Sequence, residues 1–293
     1  MAMPSDIGIV DTMIGFPASD FSQYDFIRKQ LKDGSTEFEF PVEYMFKHVP
    51  KELYGSEDPV SVTLHEMDRF GVEVGLIGVG NEVSRKALSD HPDRFVASGW
   101  VDPNRGMVGI RSMVRQYEEF GVRAFTAFNA GYNPQIALDG ALMYPIYAKC
   151  VELDLPIFSC VGVSGPRFPM WPQHVERLDQ IMYDFPELVF VTRHGCEPWE
   201  ELAVKLMLKW PNLYYSTSAF APKHYPKAVI DYANSRGSDK FIYAGYFPMG
   251  LSLERIMTDM QNVPLRDEVW PKFLRENAAK LLVTTPSYSF LLL

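Results

Sequence analysis

His194 is the residue around which chemistry can be organised in this chain. The run VTRHGCEPW sets it directly after a short apolar segment. Imidazole, with an ordinary pKa near 6.5, can take and return a proton at neutral pH. The other five histidines (His48, His65, His91, His174 and His224) end no such segment. Asp11 closes the run IGIVD, where it would act as a general base, hold His194 by a hydrogen bond, or cap the turn that follows. Tyr246 follows FIYAG, where its phenol would donate to a developing anion or simply pack. Cys160 is a nucleophile if a nearby cation lowers its pKa, and a small core filler otherwise.

Binding roles fall to the neighbours of these residues. Arg193 precedes His194, and adjacent residues of a strand point to opposite sides. With His194 taken as facing the pocket, Arg193 is expected on the far side of the strand, paired with an acid. If it faces inward, it supplies the cation a carboxylate substrate needs, a role open also to Lys47 and His48. Ser216 or Asn129 is expected to position the substrate, and Phe247 to line an apolar wall. Glu197, followed by Pro198, reads best as the start of a helix. No HExxH, His/Cys cluster or GxSxG elbow occurs. A divalent ion such as zinc, held by Asp11, His194, Glu197 and Cys160, is the alternative to a metal-free site. That ligand mix is odd for any one ion.

Residues so far apart in sequence need a frame that gathers them. Apolar runs at Ile7–Asp11, Val72–Gly78, Phe95–Val101, Val122–Phe128, Pro156–Val161, Leu188–Thr192, Leu213–Ser216 and Phe241–Ala244 read as buried strands. Amphipathic segments between them read as helices, among them Val60–Phe70, Arg105–Phe120, Ala141–Leu153 and Pro198–Leu208. Eight such units predict an α/β fold, a (β/α)8 TIM barrel, whose active site lies at the C-terminal ends of the strands. An open doubly wound sheet is less favoured, since no GxGxxG or GxxxxGK[ST] turn follows any strand. The aromatic segment from about residue 15 to 58 is long for a βα loop and is expected to be a lid or a subunit contact. No linker or repeat divides residues 1–293, which are expected to form a single domain.

A net charge of −9 argues against nucleic acid and anionic membrane as partners, while leaving a local basic pocket possible. The three cysteines, Cys150, Cys160 and Cys196, form no CxxC pair, which fits a reducing cytoplasm. The N-terminal run lacks a signal-peptide pattern and no apolar stretch has the length of a membrane span. A small molecule is the expected partner. The aromatic insertion and the terminal FLLL suggest a homodimer.

The stretches IVDTMIGFP, MDRFGVEVGLIG, HPDRFVASGWVDPN, YPIYAKCVELDLPIFSCVGVSGP, VTRHGCEPW, YAGYFP and FLRENAAKLL span nearly the whole chain. In that order they resemble the amidohydrolase-related family that includes aminocarboxymuconate semialdehyde decarboxylase, resorcylate decarboxylases, hydratases and lactone hydrolases. The family opens with an Asp-x-His-x-His run whose histidines bind a divalent metal. Here Asp11 remains, but Met13 and Gly15 stand at the histidine positions. Cys160 stands where a further metal-binding histidine ends strand five, and Tyr246 where an aspartate ends strand eight. The strand-six histidine, an acid/base beside the metal in the family's decarboxylases, survives as His194. The resemblance with these departures implies a metal-independent hydrolase of a small cyclic or aromatic acid, lactone or thioester, without cofactor. Decarboxylation of an aromatic or unsaturated acid, and a non-catalytic barrel that binds a ligand or partner, are the alternatives.

Overall fold

The computed structural model describes residues 3–17, 20–46 and 49–282. Lys47, His48 and the terminal FLLL lie outside the described residues. Eight parallel strands pair in sequence order: β1 Ile9–Asp11, β2 Val72–Gly78, β3 Phe95–Trp100, β4 Ala124–Ala127, β5 Ile157–Cys160, β6 Phe190–Arg193, β7 Leu213–Ser216 and β8 Phe241–Ile242. The seam between β8 and β1 is tied just beyond the strands. Thr12 donates from both N–H and Oγ1 to the Tyr243 carbonyl, Tyr246 N–H donates to Met13 O, and Gly15 N–H to Phe247 O. The result is the expected (β/α)8 barrel. All eight strands occur, most of them shorter than their apolar runs. A helix over Glu82–Asp90, absent from the expectation, follows β2 and is capped by the Asn81 side chain accepting from Ser84 N–H.

Side-chain parity divides the strands into two packing layers. Val10, Leu76, Ala124, Phe158, Val191, Tyr214 and Ile242, one from each of seven strands, form one cluster that fills the barrel. Their neighbours Ile9, Ile77, Phe125, Ile157, Phe190, Leu213 and Phe241 belong to a second cluster that includes Met67, Met113, Ile146, Leu178 and Ile256 of the surrounding helices. The helix Asn277–Leu282 adds Ala278 and Leu282 to the inner cluster at the N-terminal end, where Arg123 Nε donates to Leu282 O and Arg275 donates to Gly8 O. That end is plugged, so the opposite end carries the open space.

The segment after β1 lies over that open end. It contains short turns and one four-residue helix, Asp25–Arg28. Arg28 holds it together by donating to Phe21 O, Phe38 O and Glu39 O. Links to the barrel loops run from Gln30 to Gly131 O, Tyr44 OH to Gly165 O and Tyr54 OH to Pro248 O. Phe21, Phe40, Val42 and Tyr54 make a separate small core against which Tyr246 packs. Among the described residues, no helix is long and apolar enough to cross a membrane.

Candidate active site

A cavity of about 920 Å3 opens between the strand ends and the post-β1 segment. Its walls include Phe40, Val42 and Phe46 from that segment and Phe128 and Phe220 from the barrel loops, while Met13, Cys160, Arg193, His194 and Tyr246 come from strand ends. Such a concave, largely apolar chamber with a few polar groups suits a small molecule.

Arg193 and His194 both face this cavity, against the expectation that only one would. Parity puts Val191 and Arg193 inward, so it is His194 that a regular strand would have sent outward. The chain leaves the strand at that point. His194, Gly195 and Cys196 have φ of 65°, 80° and 61°, three successive left-handed residues that swing the imidazole back into the cavity. Left-handed backbone costs a non-glycine residue about 1–3 kcal/mol. Gly195 is required at the middle, because a Cβ there would meet the Phe220 ring at 2.6 Å. Tyr246 (φ 87°) and Ala219 (φ 70°) are strained in the same way and also line the cavity.

The His194 ring is fixed by Ser218. Its Nδ1 lies 3.3 Å from Ser218 Oγ, which also accepts the His194 backbone N–H at 3.0 Å. Burial, and next the Arg193 charge, push the imidazole from 6.5 down to about 4. The side chain is therefore a neutral base at pH 7 and titrates below the neutral range that the residue type suggested. Tyr246 meets it edge-on, with ring centroids 5.7 Å apart, and packs on Phe46 at 5.7 Å. Burial lifts the Tyr246 phenol well above 10, so it stays a protonated donor.

Arg193 lies at the cavity floor with its guanidinium 5.2 Å from the Phe158 ring centroid and Nη2 donating to Thr12 O at 3.2 Å. The expected acid behind the barrel is not its partner, since it faces inward and forms no ion pair among the described residues. Cys160 pairs in register with Arg193 and lines the cavity, but burial raises its thiol to about 12, which removes the thiolate a nucleophile needs. Glu197 lines the cavity ahead of the helix Glu200–Lys209, so that helix begins slightly later than expected.

The remaining expected site residues lie elsewhere. Asp11 has outward parity, is fully buried and does not touch His194. Its Oδ1 accepts from Met13 N–H and Gly245 N–H, both at 2.9 Å, which is the turn-capping role. Burial raises its carboxyl to about 7. Asn129 is fully buried and braces a loop, donating to Ile136 O and accepting from Ser159 Oγ, so it does not position substrate. Ser216 is fully buried and Phe247 is in the core, and neither lines the cavity. Ser218, two residues on from the expected Ser216, is the serine that contacts His194. Its signal was only the polar run STS at the end of β7.

The strand ends do not suit the divalent metal implied by the family resemblance. Among the described residues, no three His, Cys, Asp or Glu side chains converge to hold an ion. Beside His194 and Glu197 the cavity offers a thioether (Met13), a thiol held protonated, a protonated phenol and an arginine cation, and the last repels a second cation.

Solved structures with the same architecture are distant in sequence. An uncharacterized TIM-barrel protein from Bordetella bronchiseptica is 20% identical with a TM-score of 0.75, covering 94% of this chain and 98% of that one. The 5-carboxyvanillate decarboxylase of Sphingomonas paucimobilis is 14% identical with a TM-score of 0.68, covering 96% and 100%. A dihydroxybenzoic acid decarboxylase from Polaromonas, solved with bound manganese and an inhibitor, is 16% identical with a TM-score of 0.62, covering 94% and 96%. No functionally curated protein matches the chain. The family pattern described as amidohydrolase matches residues 67–283, which takes in β2 to β8 and the strand-six histidine, and so the chain belongs to the amidohydrolase family.

Proposed function

We propose that this protein is a metal-independent hydrolase of a small cyclic or aromatic compound with an activated carbonyl, such as a lactone or thioester, and that His194 is its general base. The observation that supports this reading is the state of His194: facing an apolar cavity, oriented by Ser218 and held neutral at pH 7. With Nδ1–H donated to Ser218 Oγ, the Nε2 lone pair is left to take a proton from water. The hydroxide equivalent attacks the carbonyl carbon, and the Tyr246 phenol donates to the oxygen that gains charge. Collapse of the tetrahedral intermediate expels the leaving oxygen or sulfur, which recovers the proton from His194. Without a Lewis acid, activated carbonyls are favoured over plain amides.

Decarboxylation of an aromatic or unsaturated acid is the second reading, favoured by the decarboxylases that recur among the structural relatives. It asks for a proton donor to carbon, a role that a histidine titrating at about 4 fills poorly at neutral pH. Assay of a lactone and thioester panel beside hydroxybenzoates separates the two. Hydrolysis is expected, with kcat/KM falling on the acid side near pH 4 and reduced about 10²–10⁴-fold in His194→Asn. Carbon dioxide release with no hydrolysis would establish the decarboxylase. A ligand bound tightly and returned unchanged by every member of the panel would establish a binding barrel.

A further inference from the structure

The cavity floor carries a cation that makes no ion-pair contact among the described residues. Arg193 Nε has no hydrogen-bond partner, and Nη2 makes the guanidinium's single hydrogen bond among the described residues, to a backbone carbonyl. A guanidinium offers five N–H donors, and a charge withdrawn from water is normally paired. Asp11 feels this charge but does not contact it: its Oδ1 is engaged by two backbone N–H groups, its Oδ2 is buried without a hydrogen-bond partner, and its parity is outward. The one acid lining the cavity, Glu197, forms no ion pair with Arg193 among the described residues. Phe158 backs one face of the guanidinium and the Thr12 carbonyl holds one edge, so its position is set while most of its donors are unused.

We infer that the Arg193 guanidinium is the fixed positive charge on which the ligand of this cavity docks, and that the ligand presents a carboxylate to the cavity floor. An arginine fork matches a carboxylate with two parallel N–H···O bonds, and a low-dielectric surround strengthens the pairing. The apolar walls above it, Phe40, Phe46, Phe128 and Phe220, fit a ring or an unsaturated chain attached to that carboxylate. The acid group thus anchors the molecule beneath His194 and Tyr246, and the reacting carbonyl is a second group on the same molecule. This names the substrate class of the hydrolase reading and rests on it for the reaction, but the docking itself is independent of turnover.

Calorimetric titration with acid/amide pairs of matched shape tests it: benzoate and benzamide, phenylacetate and phenylacetamide, salicylate and salicylamide. In the wild-type protein each acid is expected to bind at least tenfold tighter than its amide. Arg193→Met should bring the members of each pair within about threefold, whereas Arg193→Lys should keep part of the preference. His194→Asn should leave the preference intact while losing turnover, so a failed hydrolase reading shows in the assay and a failed docking reading in the titration. Circular dichroism and thermal melting check the fold, and Arg193→Gln replaces Arg193→Met if the latter does not fold. No preference for acids in the wild type, or an undiminished preference in the folded charge-removing variant, overturns the inference.

Discussion

Two strand-end regions of the barrel each bury an ionisable group, and they use it in opposite ways. At the end of β6, Arg193 and His194 face the cavity, one as an unpaired cation and the other as a neutral base. At the β8–β1 seam, Asp11 is sealed away from it, raised to about 7 and bonded to the backbone of Met13 and Gly245. Both regions lie where a barrel keeps its chemistry. What separates them is side-chain parity and one irregular turn. Three left-handed residues return His194 to the cavity after β6, while nothing reverses the outward parity of Asp11 after β1. On the proposed reading the β6 end meets the ligand, while the bonds of the seam close the barrel.

The sharpest way to break this contrast is through stability as a function of pH. Folded Asp11 keeps its proton up to about pH 7, against 3.8 when unfolded, so the folded state binds more protons in that window. Its stabilising contribution is complete at low pH and declines as pH rises from 3.8 to 7, by about 4 kcal/mol in all. His194 has the opposite sign. The unfolded state takes up the proton first, so stability falls as pH drops from 6.5 to about 4, by about 3 kcal/mol. Chemical denaturation of Asp11→Asn should show stability rising across pH 4–6.5 relative to wild type, and His194→Asn should show it falling. Turnover of Asp11→Asn at pH 7 should stay within about threefold. A large loss of kcat in a well-folded Asp11→Asn would return Asp11 to the catalytic set.

A smaller effect is expected from Tyr246→Phe, which removes one phenol and keeps the ring that packs on Phe46 and His194. Loss of a donor to the developing oxyanion lowers kcat about a hundredfold with little change in KM. If kcat holds and the melting temperature falls, Tyr246 serves only to seat the post-β1 segment on the barrel.

Much of this arrangement was legible in sequence, and the parts that were not have a common origin. Strand order came through because runs such as PIFSCV and LVFVT are apolar on both faces, as strands sandwiched between barrel interior and helices must be. The long aromatic segment after β1 announced a cover over the strand ends. His194 was identifiable because it ends an apolar run. The orientation of single side chains was not, because it depends on backbone angles that no residue type announces. Positive φ is uncommon outside glycine, even though histidine visits it more often than most residues, and nothing in RHGC advertises two such residues flanking Gly195. Asp11 could have been placed by counting from Val10, had Val10 been known to point inward. The helix Glu82–Asp90 escaped notice because its residues, EVSRKALSD, bury little more than Ser84 and Ala87.

The smallest effects concern Cys160 and metal, where the β6 end and the seam would have to cooperate. A cation bound by Asp11, His194, Glu197 and Cys160 requires the outward Asp11 to turn through the barrel wall and the Cys160 thiol, now held up to about 12, to ionise beside a guanidinium. The Arg193 charge favours that thiolate, yet burial outweighs it, and the same charge opposes the arrival of a divalent ion. Cys160→Ala and exhaustive dialysis against a chelator should therefore each leave turnover within about threefold of the untreated wild type, with elemental analysis confirming removal. Activity lost on dialysis and restored by manganese or zinc, but restored in neither Cys160→Ala nor Asp11→Asn, would show that the two regions meet on a metal after all.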